Sequence, residues 1–322
     1  MQQISSLIGD ELEKVEVKLI NQLSSEVPLI NKVGGYIIGS GGKRIRPLML
    51  LLVAKYCNYS GEQHIPLACI FEYIHTASLL HDDVLDNAKV RRGNSSVNSV
   101  WGDRTSVLVG DFLLSMAFSH LVKIEDLKIM KVVSDAATQM AEGETMQTER
   151  SGDTDLSEEE YITVISNKTA SLIAAACQVG ALLGNSSTKR EHIFKNYGLN
   201  LGIAFQMVDD TLDYISEDER FGKITCKDLR EGKITLPLIH TLREASARDM
   251  KTILKILKSN SLDKKNLCVI TELIEKYQGI GYVLRRAKEY INSSIHCIKV
   301  LDSSPVKDAL ITTADYVLQR KW

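Results

Sequence analysis

The stretch CIFEYIHTASLLHDDVLD, residues 69–86, decides the fold of this chain. Its apolar residues recur at spacings of three and four, the period of an α-helix, and Pro66 just before it suits the first turn of a helix. The same period runs through most of the 322 residues, among which only five prolines occur. The pattern predicts helices over approximately 3–24, 43–57, 65–87, 103–122, 125–149, 157–184 and 188–216, with four or five more beyond.

The organisation of the chain is that of one helical domain. No low-complexity linker, fixed-period repeat or βαβ alternation interrupts it. The segments richest in Gly, Arg and Lys are residues 39–47, 88–96 and 217–235, and each lies between predicted helices. We therefore predict a single all-α domain over residues 1–322, with loops that carry function.

Composition excludes several classes of protein. The 39 Lys and Arg residues nearly balance the 41 Asp and Glu residues, so the charge of -2 gives no general attraction for nucleic acid. The six cysteines lack CxxC or metal spacing, which favours reduced thiols in a cytoplasmic protein. Acidic residues near the N-terminus argue against a signal peptide, and no uninterrupted apolar run is long enough to predict a transmembrane segment.

The first candidate site is the acidic end of the quoted stretch. Asp82 and Asp86 are four residues apart and therefore share a helix face, with Asp83 beside them. Steps of four and three back along that face reach Ser78 and His75. A polar line thus runs along an otherwise apolar helix.

The second candidate site repeats this spacing in AFQMVDDTLD, residues 204–213. Asp209 and Asp213 share a face with Gln206 and Gly202, and Asp210 lies next to Asp209. Taken singly, either acidic cluster could be a solvated helix end. Two such clusters within apolar surroundings need compensation of their charge, because unpaired carboxylates are costly to desolvate.

Divalent magnesium is the predicted compensation. It binds carboxylate oxygens and completes its octahedral shell with waters and phosphate oxygens of a substrate. Calcium is less favoured because no loop has EF-hand spacing, and zinc is disfavoured because no Cys or paired His lies nearby. The predicted metal ligands are Asp82, Asp83, Asp86, Asp209, Asp210 and Asp213.

Basic residues in the loops supply the positive charge that an anionic substrate needs. Arginine suits bidentate contact with phosphate, whereas lysine acts as a point charge. Each could alone be a solvated surface charge, and GGKRIRP at 41–47 lacks the spacing of a P-loop. The candidates are Lys43, Arg46, Arg91, Arg92, Lys168 with its neighbour Thr169, Lys223 and Lys233.

These motifs together resemble the trans-prenyltransferases, or polyprenyl diphosphate synthases. GGKRIRP, DDVLD, RRG, NKT, FQ, DDTLD and the two GK segments, the second in EGKITLP, follow one another in the family's order over most of the chain. The overall similarity is greatest to the bacterial members that make octaprenyl diphosphate for quinone side chains. The resemblance implies an antiparallel helical bundle around a deep cavity, a homodimer, and three magnesium ions when substrate is bound.

The resemblance also implies a role for each candidate residue. Magnesium would be held chiefly by Asp82, Asp86 and Asp209. The catalytic set implied is Asp82, Asp86, Asp209, Lys168 and Lys223. Isopentenyl diphosphate would contact Lys43, Arg46, His75 and Arg92. The allylic diphosphate, such as farnesyl diphosphate, would contact Arg91, Lys168, Thr169, Gln206, Lys223 and Lys233.

Product length is expected to depend on Ala77 and Ser78, one turn before Asp82. In this family aromatic residues there are typical of short-chain enzymes, and Ala-Ser is typical of medium- and long-chain ones. The cavity floor is expected on the 125–149 helix, with Met130, Val133, Ala137 and Met140 as equal candidates.

Four alternatives remain open on sequence alone. A geranylgeranyl or shorter-chain synthase has the same motifs, as does the catalytic subunit of a heteromeric synthase. A class I terpene cyclase would need an Asn/Ser/Glu-type second metal motif in place of DDTLD. A non-catalytic subunit would lack the acidic clusters. Contact with a membrane is expected only transiently, for release of the product.

Overall fold

The computed structural model describes residues 2–215, 217–218, 223–224, 226–259 and 262–319, with side chains described for 4–215, 226–259 and 262–319. The predicted all-α class is confirmed. The helices are α1 Gln2–Asn21, α2 Pro28–Gly39, α3 Ile45–Tyr56, α4 His64–Leu85, α5 Val97–Trp101, α6 Asp103–Val122, α7 Leu127–Glu149, α8 Glu158–Ile165, a π-helical turn Ser166–Ala170, α9 Ser171–Leu183, α10 Thr188–Ile215, α11 Lys227–Arg230, α12 Leu236–Glu244, α13 Ala247–Lys258, α14 Lys264–Lys276, α15 Gly279–Ile298 and α16 Pro305–Leu318. Within the described residues, β1 Val90–Arg91 pairs antiparallel with β2 Asn94–Ser95, and β3 Glu217–Asp218 pairs antiparallel with β4 Lys223–Ile224.

Several helices begin at start signals in the sequence. Pro28 opens α2, where its fixed φ suits the first turn. Ser157 and Glu160 form a capping box at the start of α8, so two backbone N–H groups are satisfied there. Ser246 and Asp263 each accept a backbone hydrogen bond at the start of α13 and α14.

Three local features differ from the sequence prediction. The sequence prediction did not include α2. This helix contains Gly34, where a Cβ would lie 2.6 Å from Leu23 Cδ2, so the position favours glycine. The predicted continuous helix over 157–184 instead contains the π-helical turn. The arginine-rich loop after α4 forms a hairpin, whose turn residues Arg92 and Gly93 both have positive φ, as a two-residue hairpin turn requires.

The contacts of the chain group it into two compact units. The first comprises residues 1–137, 172–195 and 301–310, and within it α4 packs along α6, α3 and α1. The second comprises residues 138–171, 196–300 and 311–322, and within it α12 packs on α15, α14 and α8. The first acidic cluster belongs to the first unit and the second acidic cluster to the second. That residues 1–322 act as one domain stays a prediction.

One helix among the described residues, α6, is long and apolar enough to span a membrane by length and composition. A core helix passes the same test, and α6 packs extensively along α4. It also contains Asp103, Arg104 and Asp111. All six cysteines are free thiols, as the sequence predicts.

Candidate active site

The first acidic cluster forms the last turn of α4. The amide of Asp86 donates to the carbonyl of Asp82 at 2.8 Å, so the two aspartates are one helical turn apart, as their spacing predicts. Both are partly buried, whereas Asp83 is fully buried. Asp82 and Asp86 therefore form the accessible part of the cluster and Asp83 its inner part.

Asp83 fixes the arginine of the following hairpin. Arg91 Nε and Nη2 both donate to Asp83 Oδ1, at 2.8 and 2.5 Å. Burial lowers the pKa of Arg91, but the bonds and charge of Asp83, with the charges of Asp82 and Asp86, outweigh it and raise that pKa. Asn98 of α5 donates to the Asp83 carbonyl at 3.0 Å. Arg91 is thus held as a permanent cation within the field of the first cluster.

A group of basic residues lies beside this cluster in the same unit. Burial, followed by the charges of Arg46 and Arg92, holds the pKa of His75 well below its usual range, so His75 is neutral. Burial and the charge of Arg92 lower the pKa of Arg46 to about 10, against the charge of Glu72. Arg46 Nε is buried and has no hydrogen-bond partner among the described residues. A buried donor without an acceptor favours an anionic ligand.

The Gly-Gly before Lys43 allows a close approach between this loop and the hairpin. A Cβ on Gly42 would lie 2.9 Å from the guanidinium nitrogens of Arg92, and both Gly41 and Gly42 have positive φ. Lys43 follows on the exposed surface. The loop and the hairpin therefore bring Lys43, Arg46 and Arg92 into one region with His75.

Sequence reasoning missed the ion pairs that hold this loop. Arg44 is buried with φ 48°, and its guanidinium binds Glu16 at 2.6 Å and Glu72 at 2.7 Å. Burial lowers the pKa of Arg44, but Glu16 and Glu72 outweigh it and raise that pKa. Arg44 thus connects the loop to α1 and α4. The sequence signal that could have revealed these ion pairs is Glu72, a carboxylate within the apolar part of α4.

The second acidic cluster divides into three environments along α10. Asp209 is partly buried, whereas Asp210 is buried and accepts from Tyr161 at 2.6 Å and from Gln206 at 2.6 Å. Burial raises the pKa of Asp210 to about 7, although these two hydrogen bonds lower it. Asp213 accepts from the backbone amides of Lys227 and Asp228, both at 2.9 Å. Asp213 thus caps the short helix α11.

Asp228 is an acidic residue that sequence reasoning missed. Burial, followed by the charges of Asp210 and Asp213, raises its pKa well above the usual range, while the charge of Lys233 lowers it. Lys233 also pairs with Glu231 at 2.8 Å. The signal that could have found Asp228 is its position between the two GK segments. The side chain of Lys223 lies outside the described side chains.

The π-helical turn carries Lys168 and Thr169, and two glycines pack against its backbone. A Cβ on Gly143 would lie 2.3 Å from the Lys168 amide nitrogen, and one on Gly202 would lie 2.5 Å from Ala170 Cα. Lys168 pairs with Glu144 and donates to Gln147 at 2.7 Å. Thr169 donates to Gln206 at 2.8 Å. Gly202, which the sequence placed on the Asp209 face, thus has a packing role.

Gly202→Ala is expected to destabilise the fold by about 1 to 3 kcal/mol, because the added methyl group overlaps backbone atoms that cannot move independently. Gly35→Ala in α2 is the matched control, since a Cβ there meets nothing within 4 Å. Replacing a helical glycine by alanine should stabilise by roughly 0.5 to 1 kcal/mol. Chemical denaturation measures the free energy of unfolding of both variants. Changes of equal size and the same sign in the two variants would contradict the packing role of Gly202.

The residues expected to set product length lie on α4 and α7. Ala77 is buried, and Ser78 is partly buried with its hydroxyl donating to the His75 carbonyl at 2.8 Å. Among the floor candidates Val133 is buried. Met130, Ala137 and Met140 are partly buried. The floor thus stays a choice among these residues.

No set of three Asp, Glu, His or Cys side chains among the described residues is arranged to hold a metal ion by itself. Each cluster presents two carboxylates on one helix face, at Asp82 and Asp86 or at Asp209 and Asp213. Hard oxygen donors in incomplete sets suit magnesium, which keeps waters and takes phosphate oxygens. The donor chemistry therefore fits magnesium bound together with a diphosphate.

Comparison with known proteins decides the family. The family model described as Polyprenyl synthetase matches residues 27–274. The chain belongs to the polyprenyl synthetase family. Octaprenyl diphosphate synthase of Escherichia coli is 37% identical over 320 residues, covering 99% of each chain. A short chain isoprenyl diphosphate synthase of Methanothermobacter thermautotrophicus is 32% identical over 326 residues, covering 100% of each. Polyprenyl synthase from Caulobacter crescentus, solved with calcium and isoprenyl diphosphate, superposes with TM-score 0.94 at 33% identity, covering 99% of this chain and 97% of that one.

Membership of the polyprenyl synthetase family confirms the predicted reaction class. The chain is a transferase of prenyl groups, a chain-elongating trans-prenyltransferase. The cyclase and the non-catalytic subunit weighed on sequence are thereby set aside. Because relatives of different product length match the whole chain, they leave that length open.

Proposed function

We propose that this prenyltransferase is a magnesium-dependent octaprenyl diphosphate synthase that supplies quinone side chains. The observation that carries the proposal is the pair of small residues, Ala77 and Ser78, one turn before Asp82 on α4. One turn of helix spans about 5.4 Å, close to one extended prenyl unit, so a bulky side chain there would stop the tail early. The whole-chain similarity to octaprenyl diphosphate synthase supports the same length.

Magnesium is the proposed cofactor, with three ions bound when substrate is present. The direct ligands proposed are Asp82, Asp86 and Asp209, the partly buried acids of the two clusters. Asp83, Asp210 and Asp213 act in support, since they are engaged with Arg91, with Tyr161 and Gln206, and with the α11 amides. When bound, magnesium supplies Lewis-acid stabilisation of the leaving diphosphate.

Isopentenyl diphosphate is proposed to bind the basic group of Lys43, Arg46, His75 and Arg92. The buried, unpartnered Nε of Arg46 would donate to a phosphate oxygen. Neutral His75 can still donate one ring N–H. Glu72 and Glu16 hold Arg44, which anchors the loop that carries Lys43 to α1 and α4.

The allylic diphosphate, such as farnesyl diphosphate, is proposed to bind Arg91, Lys168, Lys223 and Lys233. Lys168 exchanges Glu144 for the ligand, and Thr169 and Gln206 flank the reacting carbons. These cations stabilise charge as the allylic C–O bond breaks. The isopentenyl double bond attacks C1 of the allylic cation, and a proton leaves to the departing diphosphate.

The experiment that tests this function uses the purified chain with farnesyl diphosphate, isopentenyl diphosphate and magnesium, and measures product length by mass spectrometry. We expect octaprenyl diphosphate. A geranylgeranyl product would support the shorter-chain alternative instead. Activity that needs an added protein would identify a catalytic subunit of a heteromeric synthase.

A homodimer in the cytoplasm is proposed as the working state. Exposed apolar residues on α6, Val107, Leu108 and Val122, offer a surface for a second copy. Transient membrane contact at product release is also proposed. The outer face of α13 supports it, since Met250 lies there beside Lys251 and Lys255.

His75→Ala is expected to raise KM for isopentenyl diphosphate without changing KM for the allylic substrate. It should also change stability at low pH. His75 stays neutral when folded but takes up a proton when unfolded, so stability is full above pH 6.5 and falls as pH drops through that ordinary value. The His75→Ala variant should therefore lose less stability than the wild type as the pH falls below 6.5.

The control for His75→Ala is His192→Ala, at an exposed histidine of α10. Substrate kinetics and unfolding midpoints at several pH values measure both effects. If the allylic KM rises while the other stays unchanged, the assignment of His75 is wrong.

A further inference from the structure

Tyr161 is buried on α8, and none of the roles proposed above uses its side chain. We propose that Tyr161 is a positioning residue for condensation, which acts through Asp210 to fix the orientation of Gln206 and Thr169 at the reacting carbons. This inference rests on the proposed function, because that function places Gln206 and Thr169 there. The four side chains form a continuous hydrogen-bonded chain within the second unit.

At one end of this hydrogen-bonded chain, two side chains donate to the same carboxylate. Tyr161 Oη donates to Asp210 Oδ2 at 2.6 Å, and Gln206 Nε2 donates to Asp210 Oδ1 at 2.6 Å. Both oxygens of Asp210 act as acceptors in this arrangement. The amide nitrogen of Gln206, rather than its oxygen, therefore faces the carboxyl group. Tyr161 occupies the other carboxylate oxygen and keeps the group from rotating.

The orientation of Gln206 determines what Thr169 presents. With Gln206 Nε2 on Asp210, Gln206 Oε1 accepts from Thr169 Oγ1 at 2.8 Å. The Thr169 hydroxyl hydrogen is thereby directed to Gln206. The lone pairs of the Thr169 oxygen are then available to face positive charge, which develops on the allylic carbons during ionisation. A reversed Gln206 amide would instead turn a hydrogen of Thr169 towards that charge.

The surroundings hold Tyr161 firmly. The capping box of Ser157 and Glu160 fixes the first turn of α8, immediately before Tyr161. The π-helical turn that carries Thr169 follows directly after α8 and packs against Gly143 and Gly202. Both ends of the hydrogen-bonded chain are thus anchored to backbone that has little freedom.

The test is Tyr161→Phe, which keeps the ring and removes only the donor. Single-turnover measurement of one condensation reports the chemical step without product release. We expect that rate to fall roughly 10- to 100-fold, the range for loss of an outer partner that orients a reacting group. KM for both diphosphates should stay near wild type. Asp210→Asn should slow the same step, and Tyr161→Phe should add little to it in the double variant.

The matched control is Tyr73→Phe, since Tyr73 is also buried and its hydroxyl donates to the Leu19 carbonyl at 2.8 Å. It should lower the unfolding midpoint about as much as Tyr161→Phe and leave the condensation rate unchanged. A wild-type rate in Tyr161→Phe, or an equal loss of rate in both variants, overturns the positioning role. If the wild type does not condense the substrates, the proposed function and this inference are both overturned. That outcome is distinguishable from failure of the positioning role alone, because it is seen before any residue is substituted.

Discussion

Asp82→Ala and Asp209→Ala are each expected to lower kcat on the order of 10³-fold, because each would remove a ligand of the ions that stabilise the leaving diphosphate. Removal of divalent ions with a chelator should abolish turnover, and added magnesium should restore it. Neither substitution should unfold the protein, since both side chains are only partly buried. Steady-state kinetics with thermal unfolding measures both quantities.

The control for these substitutions is Asp135→Ala, at an exposed aspartate of α7 that pairs with Lys131. An exposed ion pair of this kind contributes little to stability, and Asp135 has no proposed role in the reaction. Activity should therefore stay at the wild-type level. If either Asp82→Ala or Asp209→Ala kept more than about a tenth of the activity, far above the expected loss, the proposed ligand role would be contradicted.

Ser78→Phe and the double variant Ala77→Phe with Ser78→Phe are expected to shorten the product to farnesyl or geranylgeranyl diphosphate. A ring one turn from Asp82 fills space that the tail must cross, and close packing leaves no room for a detour. The first condensation should continue at nearly the wild-type rate, because the ionising end of the site is untouched. Product length by mass spectrometry, together with consumption of isopentenyl diphosphate, measures the effect.

Stability separates the two positions. Ala77 is 1% exposed, so phenylalanine there should cost roughly 1 to 3 kcal/mol through overpacking, whereas Ser78 is only partly buried. Ser78→Phe alone is therefore the cleaner variant. Ser293→Phe, at an exposed position of α15, controls for an added ring. A folded, active Ser78→Phe enzyme that makes product of wild-type length would remove the main physical support for the octaprenyl proposal.

The helical positions of the site followed from sequence because they depend on local spacing. Asp82 and Asp86 had to share a turn once residues 69–86 were helical, and the structure confirms that turn. Tyr161 could not be found in this way, because it meets Asp210 across 49 residues of chain. Periodicity specifies which face of a helix a residue occupies but not which distant residue faces it.

Backbone conformation accounts for the other residues that were missed. Arg44 stands between two predicted phosphate ligands and has their chemistry, yet its positive φ turns it inwards to Glu16 and Glu72. The π-helical turn, likewise, has no signal in the apolar pattern of 157–184. The backbone of this turn lies close to Gly143 and Gly202, which are on other helices, and such contacts cannot be deduced from periodicity.

If Lys168 binds the allylic diphosphate as proposed, its contribution to substrate affinity is a net exchange energy, because the lysine already pairs with Glu144. Lys168 lies between Glu144 and Gln147 on neighbouring turns of α7. A diphosphate that displaced Glu144 from the ammonium group would gain only the difference between the old and the new partner. After the diphosphate left, Glu144 would pair with the lysine again. Glu144 would thereby compete with the anion for Lys168, which would favour release of product.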